Sequence, residues 1–393
     1  MANSFLTPDQ ITKESLMVLH EKIPFISSIN RQFDDQYARE GAKIGSSLRI
    51  RLPNQYTVRT GKVAQVQDTA ESSVTMTMAT QKGVDLGFSS ADLTLSINDF
   101  RKQFIEPAMS VLASSIEADA IQTLTKDVYN LVGTAGTTPA TMLVFGQARQ
   151  KLNEYLAPKD KRRRVQVDSS TMASMTDAYK GLFQNSKAID KQYMEGYIDH
   201  QGGFDWYENE SIYTHTTGTD HTTVTVNDGS IASGDTTITT AGGNVTVGTV
   251  FTFSGTGVKA VHPETKASYS HDQQFVITAV SGNDWTFSPA IITSGALQNV
   301  STLPTTGSAI TLVGAASTSY GQCLAYHEDA FSFVSADLEL PKGVDMASRQ
   351  RFEGISMRFV RDWDAINDDW INRIDVLYGI KTLRAQLAVR ITK

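Results

Sequence analysis

The chain has 393 residues, 40% hydrophobic and 20% charged, which is the profile of a folded chain long enough for two or three domains. Its 35 basic and 42 acidic residues leave a net charge of −7, a poor balance for wrapping nucleic acid tightly. A lone cysteine, Cys323, excludes an intrachain disulfide, and no run of about 18 apolar residues offers a membrane helix. The start "MANSFLTPDQITKESLMVLHEKI" is too polar for a signal peptide, so folding in a reducing cytoplasm is expected.

Residues 1–45 read as an N-terminal arm. Thr7-Pro8-Asp9 has helix-start chemistry: a capping hydroxyl, a proline suited to the first turn, and an acid at the positive end. Ile11, Leu16, Leu19 and Ile23 give a sparse apolar face, and Pro24 ends the pattern. So short a helix needs a partner surface. Over 46–97 the period changes to 2. Leu48, Ile50 and Leu52 alternate with Arg49 and Arg51, and Val74, Met76 and Met78 alternate with Thr75 and Thr77. Two long strands around a polar tip predict an extended hairpin, a shape that is marginal in water unless something covers it.

Residues 98–134 predict a long helix, with Asn98 or Asp99 as cap. Phe104, Ala108, Leu112, Ile116, Ala120, Leu124, Val128 and Val132 recur at every fourth position. About 34 residues at 1.5 Å each reach roughly 50 Å, the length of a structural spine. Pro107 predicts a kink or a start after it, and "GTAGTTPA" breaks the run. Over 135–210, "MLVFGQARQKLNEYL" reads as a helix, "RRRVQVDSS" as a short strand running into a cap, and "TMASMTDAYKGLF" as a further helix, together an α+β layer.

The segment 211–320 differs in kind. It holds 24 threonines but only 2 basic and 6 acidic residues. Short strands such as "TTITT", "VTVGTVFTFSG" and "QQFVITAVSG" are separated by turns such as Ser281-Gly282-Asn283-Asp284, which predicts a small all-β domain, a barrel or a sandwich. Residues 321–393 return to the earlier composition, with two or three strands and an acidic loop. A composition that stops and resumes marks an inserted domain.

Candidate chemistry is sparse. His215 and His221 flank "TTGTD", and His262, Glu264 and His271 lie in "HPETKASYSH", but neither spacing is that of a zinc site. His327-Glu328-Asp329 reads as a surface loop. Cys323 is near His327 in sequence, with a buried structural thiol as the default. Asp362, Asp364, Asp368 and Asp369 lack the glycine and glutamate of a calcium loop, and Trp363 and Trp370 among them favour packing. The basic run Lys159–Arg164 is the best nucleic-acid candidate, set against a solvated turn or a contact with an acidic neighbour. No P-loop, dinucleotide fingerprint or nucleophile elbow occurs. No catalytic residue, cofactor or metal is expected, and the chain is not read as an enzyme.

An arm, a long hairpin, a spine helix, an α+β lobe and an inserted β domain, in that order, resemble the major capsid proteins of tailed bacteriophages with the Hong Kong 97-type fold. "DVLYGIKTLRAQLAVRI" (Asp375–Ile391) is similar to the last strands of the short-tailed Salmonella-phage branch. "VGTVFTFSG" and "FVITAVSGNDWTFSPAI" resemble strands of that branch's insertion domain. The resemblance implies an α+β Hong Kong 97-like fold with an inserted barrel-like domain. It also implies a homo-oligomer of pentamers and hexamers in an icosahedral virion head, assembled in the bacterial cytoplasm.

In that reading the 46–97 hairpin lies over a neighbouring subunit, 98–134 is the spine of a peripheral domain, and 135–210 with part of 321–393 surrounds the symmetry axes. The arm contacts neighbours and a scaffolding protein, a portal takes part in assembly, and room is left for a decoration protein. The head encloses double-stranded DNA without sequence-specific contacts, and the mild negative charge keeps that DNA from sticking. The 211–320 domain is read as a folding nucleus or an outward contact. Lys62 and Lys82 lie on the hairpin, but no crosslinking partner is evident. A surface adhesin or carbohydrate-binding protein is the alternative, drawn from the threonine-rich block.

Overall fold

In the computed structural model the described residues are 8–31, 47–64, 66–67, 72–87, 101–179, 198, 200–221, 224–255, 257–352, 354–364 and 369–393. Thr7, the cap candidates Asn98 and Asp99, residues 180–197 and Asp368 lie outside them. The chain divides into two compact units.

Unit 1 comprises residues 1–51, 73–120 and 331–383. Its five-stranded antiparallel sheet is centred on the 14-residue strand Asp369–Thr382, which pairs with Ile355–Asp364, Phe331–Ala336 and Thr80–Leu86. Met346–Phe352 adds an edge. The strands read from the 321–393 segment thus fall largely in this sheet.

The arm helix Pro8–Glu21 finds in this unit the partner surface that its short apolar face requires. Asp9 Oδ1 accepts from Ser348 Oγ at 2.6 Å, Arg101 pairs with Glu14 at 3.3 Å, and His20 meets Phe352 edge-on. Leu16, Leu19 and Ile23 are buried.

The long helix is shorter than its periodicity suggested. It runs from Glu106 to Lys126, 21 residues or about 31 Å, behind a π turn at Arg101–Ile105. Pro107 is its second residue, where a missing N–H costs little. Val128 and Val132 continue the fourfold spacing, but Leu131–Gly133 is a strand in a parallel pair with Ala388–Thr392. Within unit 1 Phe25 N donates to Glu117 Oε1 at 2.9 Å, and Tyr378 donates to Asp119 at 2.6 Å.

Ser47–Arg51 and Ser73–Thr77 pair antiparallel, with Leu48 opposite Met76 and Ile50 opposite Val74. The strands have five residues each, not the long arms expected, because 52–64 leaves the ladder and Thr80–Leu86 joins the unit 1 sheet.

Unit 2 comprises residues 52–72, 121–330 and 384–393. Its seven-stranded sheet runs Leu131–Gly133, Ala388–Thr392, Ser319–His327, Arg163–Val167, Phe204–Glu208, His200–Gln201, with Tyr213–Thr216 also pairing to Ser319–His327. Helices Met142–Glu154 and Ser169–Tyr179 accompany it. Asp168 caps the second helix, accepting from the Thr171 hydroxyl at 2.6 Å and its N–H at 3.4 Å.

The same unit carries a closed six-stranded barrel in the order Thr237–Ala241, Asp284–Ser288, Gln274–Ser281, Val250–Ser254, Ala309–Leu312, Val224–Val226. Alternation fills it: Phe251, Phe253, Phe275, Trp285 and Phe287 are buried, with rings 5.4–6.0 Å apart. Thr237, Thr252, Thr278, Thr286 and Thr311 face outward along the same strands, while Thr240 is buried and bonds Gly242 O and Asn283 O. Gly282, at φ +61°, occupies the first position of a two-residue hairpin turn, where type II′ geometry needs a positive φ. The barrel therefore starts at Val224 and closes at Leu312. Residues 213–216 and 319–327, which the sequence assigned wholly or partly to the insertion, belong to the host sheet.

Two strand exits carry the chain into and out of the barrel. Thr217 N donates to Thr318 O at 3.0 Å, and Ser317 N donates to Gly218 O at 2.9 Å. A Cβ built on Gly218 would sit 1.7 Å from Asn244 O. Gly218→Ala is therefore expected to cost about 2–3 kcal/mol, read as a lower urea midpoint, because backbone and not a flexible side chain must move.

Candidate assembly surfaces

The 52–72 segment carries an unusual surface. Val58, Val66 and Val63 are 95%, 94% and 80% exposed, and Tyr56 is 59% exposed. Single exposed apolar residues are ordinary, but three valines within nine positions of one tip are not. The tip is nonetheless ordered internally. Thr57 N donates to Gln67 Oε1 at 2.9 Å, Gln67 Nε2 returns a bond to Thr57 O at 2.5 Å, and Arg59 donates to Gly61 O. Its shape is set while its apolar side chains still face water. Burying each valine contributes about 1.5 kcal/mol or more.

The barrel is tied to its host by buried polar groups. Arg390, on the strand Ala388–Thr392 next to the sheet's Leu131–Gly133 edge, is fully buried. Its Nε donates to Val128 O at 2.6 Å, and its Nη1 donates to Gly248 O at 2.8 Å and Gln322 Oε1 at 3.1 Å. One side chain thus joins the end of the long helix, a barrel turn and the sheet. Burial pulls its pKa down to about 10, so it stays charged at neutral pH. Gln274 pairs both faces of its amide with Leu131, at 3.0 and 2.9 Å. Tyr155 donates to Gln273 at 2.9 Å, and Tyr269 donates to Glu154 O at 3.2 Å. None of these anchors was visible in sequence, because Arg390 and Gln274 look like outward residues of alternating strands.

The residues with candidate chemistry are distributed among structural contacts. His215 is buried, with Nδ1 2.9 Å from Tyr213 Oη and Nε2 3.1 Å from Thr249 Oγ1. Burial first, then Arg390, His221 and Lys126, push its pKa down to about 4. His262 Nδ1 accepts from the N–H groups of Glu264 and Thr265 at 3.1 Å each, closing its own turn. His271 stacks on Tyr269 and lies 3.5 Å from Glu154. No group of three metal-ligating side chains occurs among the described residues.

Cys323 is buried, its Sγ 3.8 Å from Thr171 Oγ1 and 3.9 Å from Asp168 Oδ1. Burial, then the Asp168 carboxylate, push the thiol up to about 11. His327 lies four residues along the strand, about 13 Å away, and bonds Asp160 at 2.9 Å. The His327-Glu328-Asp329 stretch is thus a buried imidazole and an ion-pairing acid, with Glu328 3.6 Å from Arg164. Burial raises the pKa of Asp168, but hydrogen bonds from Lys393, Thr171 and Ser170 outweigh it and hold the carboxyl at about 2.

Among the acidic cluster, Asp362 is exposed and accepts from Trp363 N at 2.9 Å. Trp363 and Trp370 pack edge-on at 5.0 Å, with the Arg361 guanidinium 3.9 Å over Trp370. The side chains of Asp364 and Asp369 lie outside the described set. Lys62 is exposed on the 52–72 tip, while Lys82 donates to Ser115 O at 2.9 Å and pairs with Asp119.

The chain thus combines an α+β body, a loop with exposed valines and an inserted closed barrel. A family model described as "P22 coat protein - gene protein 5" matches residues 21–390. The chain belongs to that family and is a structural coat protein, a virion component that assembles into a multimeric shell. No curated protein matches it significantly.

Solved structures with which it shares a likeness include the acid-stable capsid of Helicobacter pylori bacteriophage KHP30. That match has 10% identity and a TM-score of 0.43, and covers 100% of this chain and 93% of that one. The mature capsid of bacteriophage PhiM1 shows 11% identity and a TM-score of 0.42, covering 88% and 81%. The CUS-3 coat protein I-domain shows 27% identity and a TM-score of 0.21, over 25% of this chain and 100% of that domain.

Proposed function

We propose that the chain assembles through pentamers and hexamers into an icosahedral head that encloses double-stranded phage DNA, and that assembly takes place in the host cytoplasm. The exposed valine tip of 52–72 carries this reading. Heterologous contacts that close by rotation make rings, and a loop projecting onto the next copy supplies such a contact. In this assignment the 46–97 segment is the extended loop over a neighbour, and 98–134 contains the spine of the peripheral domain. Residues 135–210 and the strands of 321–393 build the axial and peripheral domains, and 211–320 contains the insertion. The 1–45 arm, a scaffolding protein and a portal take part in assembly, and a decoration protein is compatible with the exposed barrel.

Val58→Asp with Val63→Asp tests this. The doubly substituted chain is expected to fold, with unchanged far-ultraviolet circular dichroism, but to sediment as small oligomers where the parent gives shells. Shells formed at the parent's yield would remove the loop from the assembly surface.

A further inference from the structure

The basic run singled out in the sequence is an exposed turn over 159–162, with part of it in contact with acidic neighbours. Arg162 and Arg164 pair with Asp160 and Glu328. Lys159 and Lys161 point elsewhere. They line a cavity of about 230 Å³ together with Arg149, Arg163, Asn153 and His200. That is several times the ~30 Å³ share of one water molecule. Three separate pieces of chain converge there: the helix Met142–Glu154, the 159–163 turn, and the Gly202-Gly203 turn after His200.

Four formal positive charges therefore meet in one cavity of a chain whose net charge is −7, and no carboxylate is among the described lining residues. The acids nearby are already engaged. Asp205 bonds His200 at 2.5 Å, and Asp160 bonds His327 and Arg162. Arg163 is held in place by Pro158 O, Ala157 O and Asn153 Oδ1, so it acts through its charge. Arg149 lies over Gly203 and donates to Gly202 O at 3.2 Å. Among the described residues neither Lys159 nor Lys161 is in an ion pair.

The cluster is costly to keep. Burial, then the Arg149 charge, lower the pKa of Arg163. Lys161 sits at φ +64°, in the left-handed region that non-glycine residues rarely adopt. Charges of one sign lining one cavity are offset by an anion, and a doubly charged tetrahedral oxyanion carries more charge than a single carboxylate does.

We infer that this cavity binds a phosphate group, supplied either as free phosphate or by a nucleic-acid backbone, with Arg149, Lys159 and Lys161 as its donors. This is a local site and needs no wrapping of DNA.

The test uses the full chain and a Lys159→Gln/Lys161→Gln variant, with Lys159→Arg/Lys161→Arg as the charge-conserving control. Calorimetric titration with inorganic phosphate measures the free source. Anisotropy of a labelled duplex DNA, between about 50 and 200 mM salt, measures the backbone source. The expected result is binding that falls at least about tenfold in the glutamine variant and is retained in the arginine variant.

If DNA is the source, the slope of log affinity against log salt also falls by about 2, one for each lysine removed. If free phosphate is the source, phosphate titrates the parent while DNA anisotropy does not distinguish parent from variant. Equal phosphate and DNA affinities in parent and glutamine variant overturn the assignment. So does an oligoglutamate peptide that binds the parent where phosphate and DNA do not, which would give the cavity to an acidic protein segment.

Discussion

Arg390→Met is expected to be among the most destabilising single substitutions in unit 2. The side chain volume is nearly kept, but Val128 O, Gly248 O and Gln322 Oε1 lose their donor together. A buried acceptor stripped of its partner costs about 1–3 kcal/mol. With partial relaxation the total is roughly 3–5 kcal/mol, a large share of the 5–15 kcal/mol that holds a typical domain. Arg390→Lys is expected to recover less than half, since an ammonium is a point donor and cannot span three acceptors held around a planar fork. Equilibrium urea unfolding, followed by the fluorescence of the buried Trp206 and Trp285, reads both variants. A midpoint for Arg390→Met equal to the parent's would mean that the barrel is anchored by Gln274 and the tyrosines alone.

Stability is expected to fall as pH drops from about 6.5 to 4, with His215 as a main cause. In the unfolded chain an imidazole takes up its proton near pH 6.5. Buried between Tyr213 and Thr249, His215 resists protonation until about pH 4. Between those values the unfolded chain binds more protons, so stability rises with pH, and acidification removes on the order of 2–3 kcal/mol. His221 and His271 are pushed down by burial as well and act in the same direction. The Asp168 carboxyl adds a separate loss at lower pH, between its ordinary value near 4 and about 2. His215→Gln is expected to be less stable than the parent at pH 7 but to lose less between pH 6.5 and 4. Melting temperatures at three pH values across that window measure the difference. Parallel curves for parent and variant would mean that His215 is not the titrating group.

The barrel was legible because most of its strands alternate a buried apolar face with a polar one. Val250–Ser254 alternates phenylalanine with threonine or serine, and such a pattern fits a pleated wall around a core. The long helix was legible in type but not in length. Val128 and Val132 keep a helical spacing, but the helix ends at Lys126 and the chain turns into the strand Leu131–Gly133, where Leu131 and not Val132 is the buried residue. Arg390 was illegible for a different reason. Every residue of Ala388–Thr392 is buried, so a charge there faces the barrel rather than water, and only the paired neighbours decide that. The phosphate cavity was half legible. The run Lys159–Arg164 stood out, but Arg149 and His200 join it only through a helix and a turn 10 to 40 residues away. The arm helix was read as needing a cover, and Met346–Phe352, more than 300 residues later in the chain, supplies it.

The most direct measurement is cryo-electron microscopy of the particles formed by the purified chain. The account predicts closed shells of pentamers and hexamers in which the 52–72 tip of each copy lies on a neighbouring copy, with Val58 and Val63 buried in that contact. Particles in which the tip faces solvent, or a preparation that holds only monomers and dimers, would contradict it.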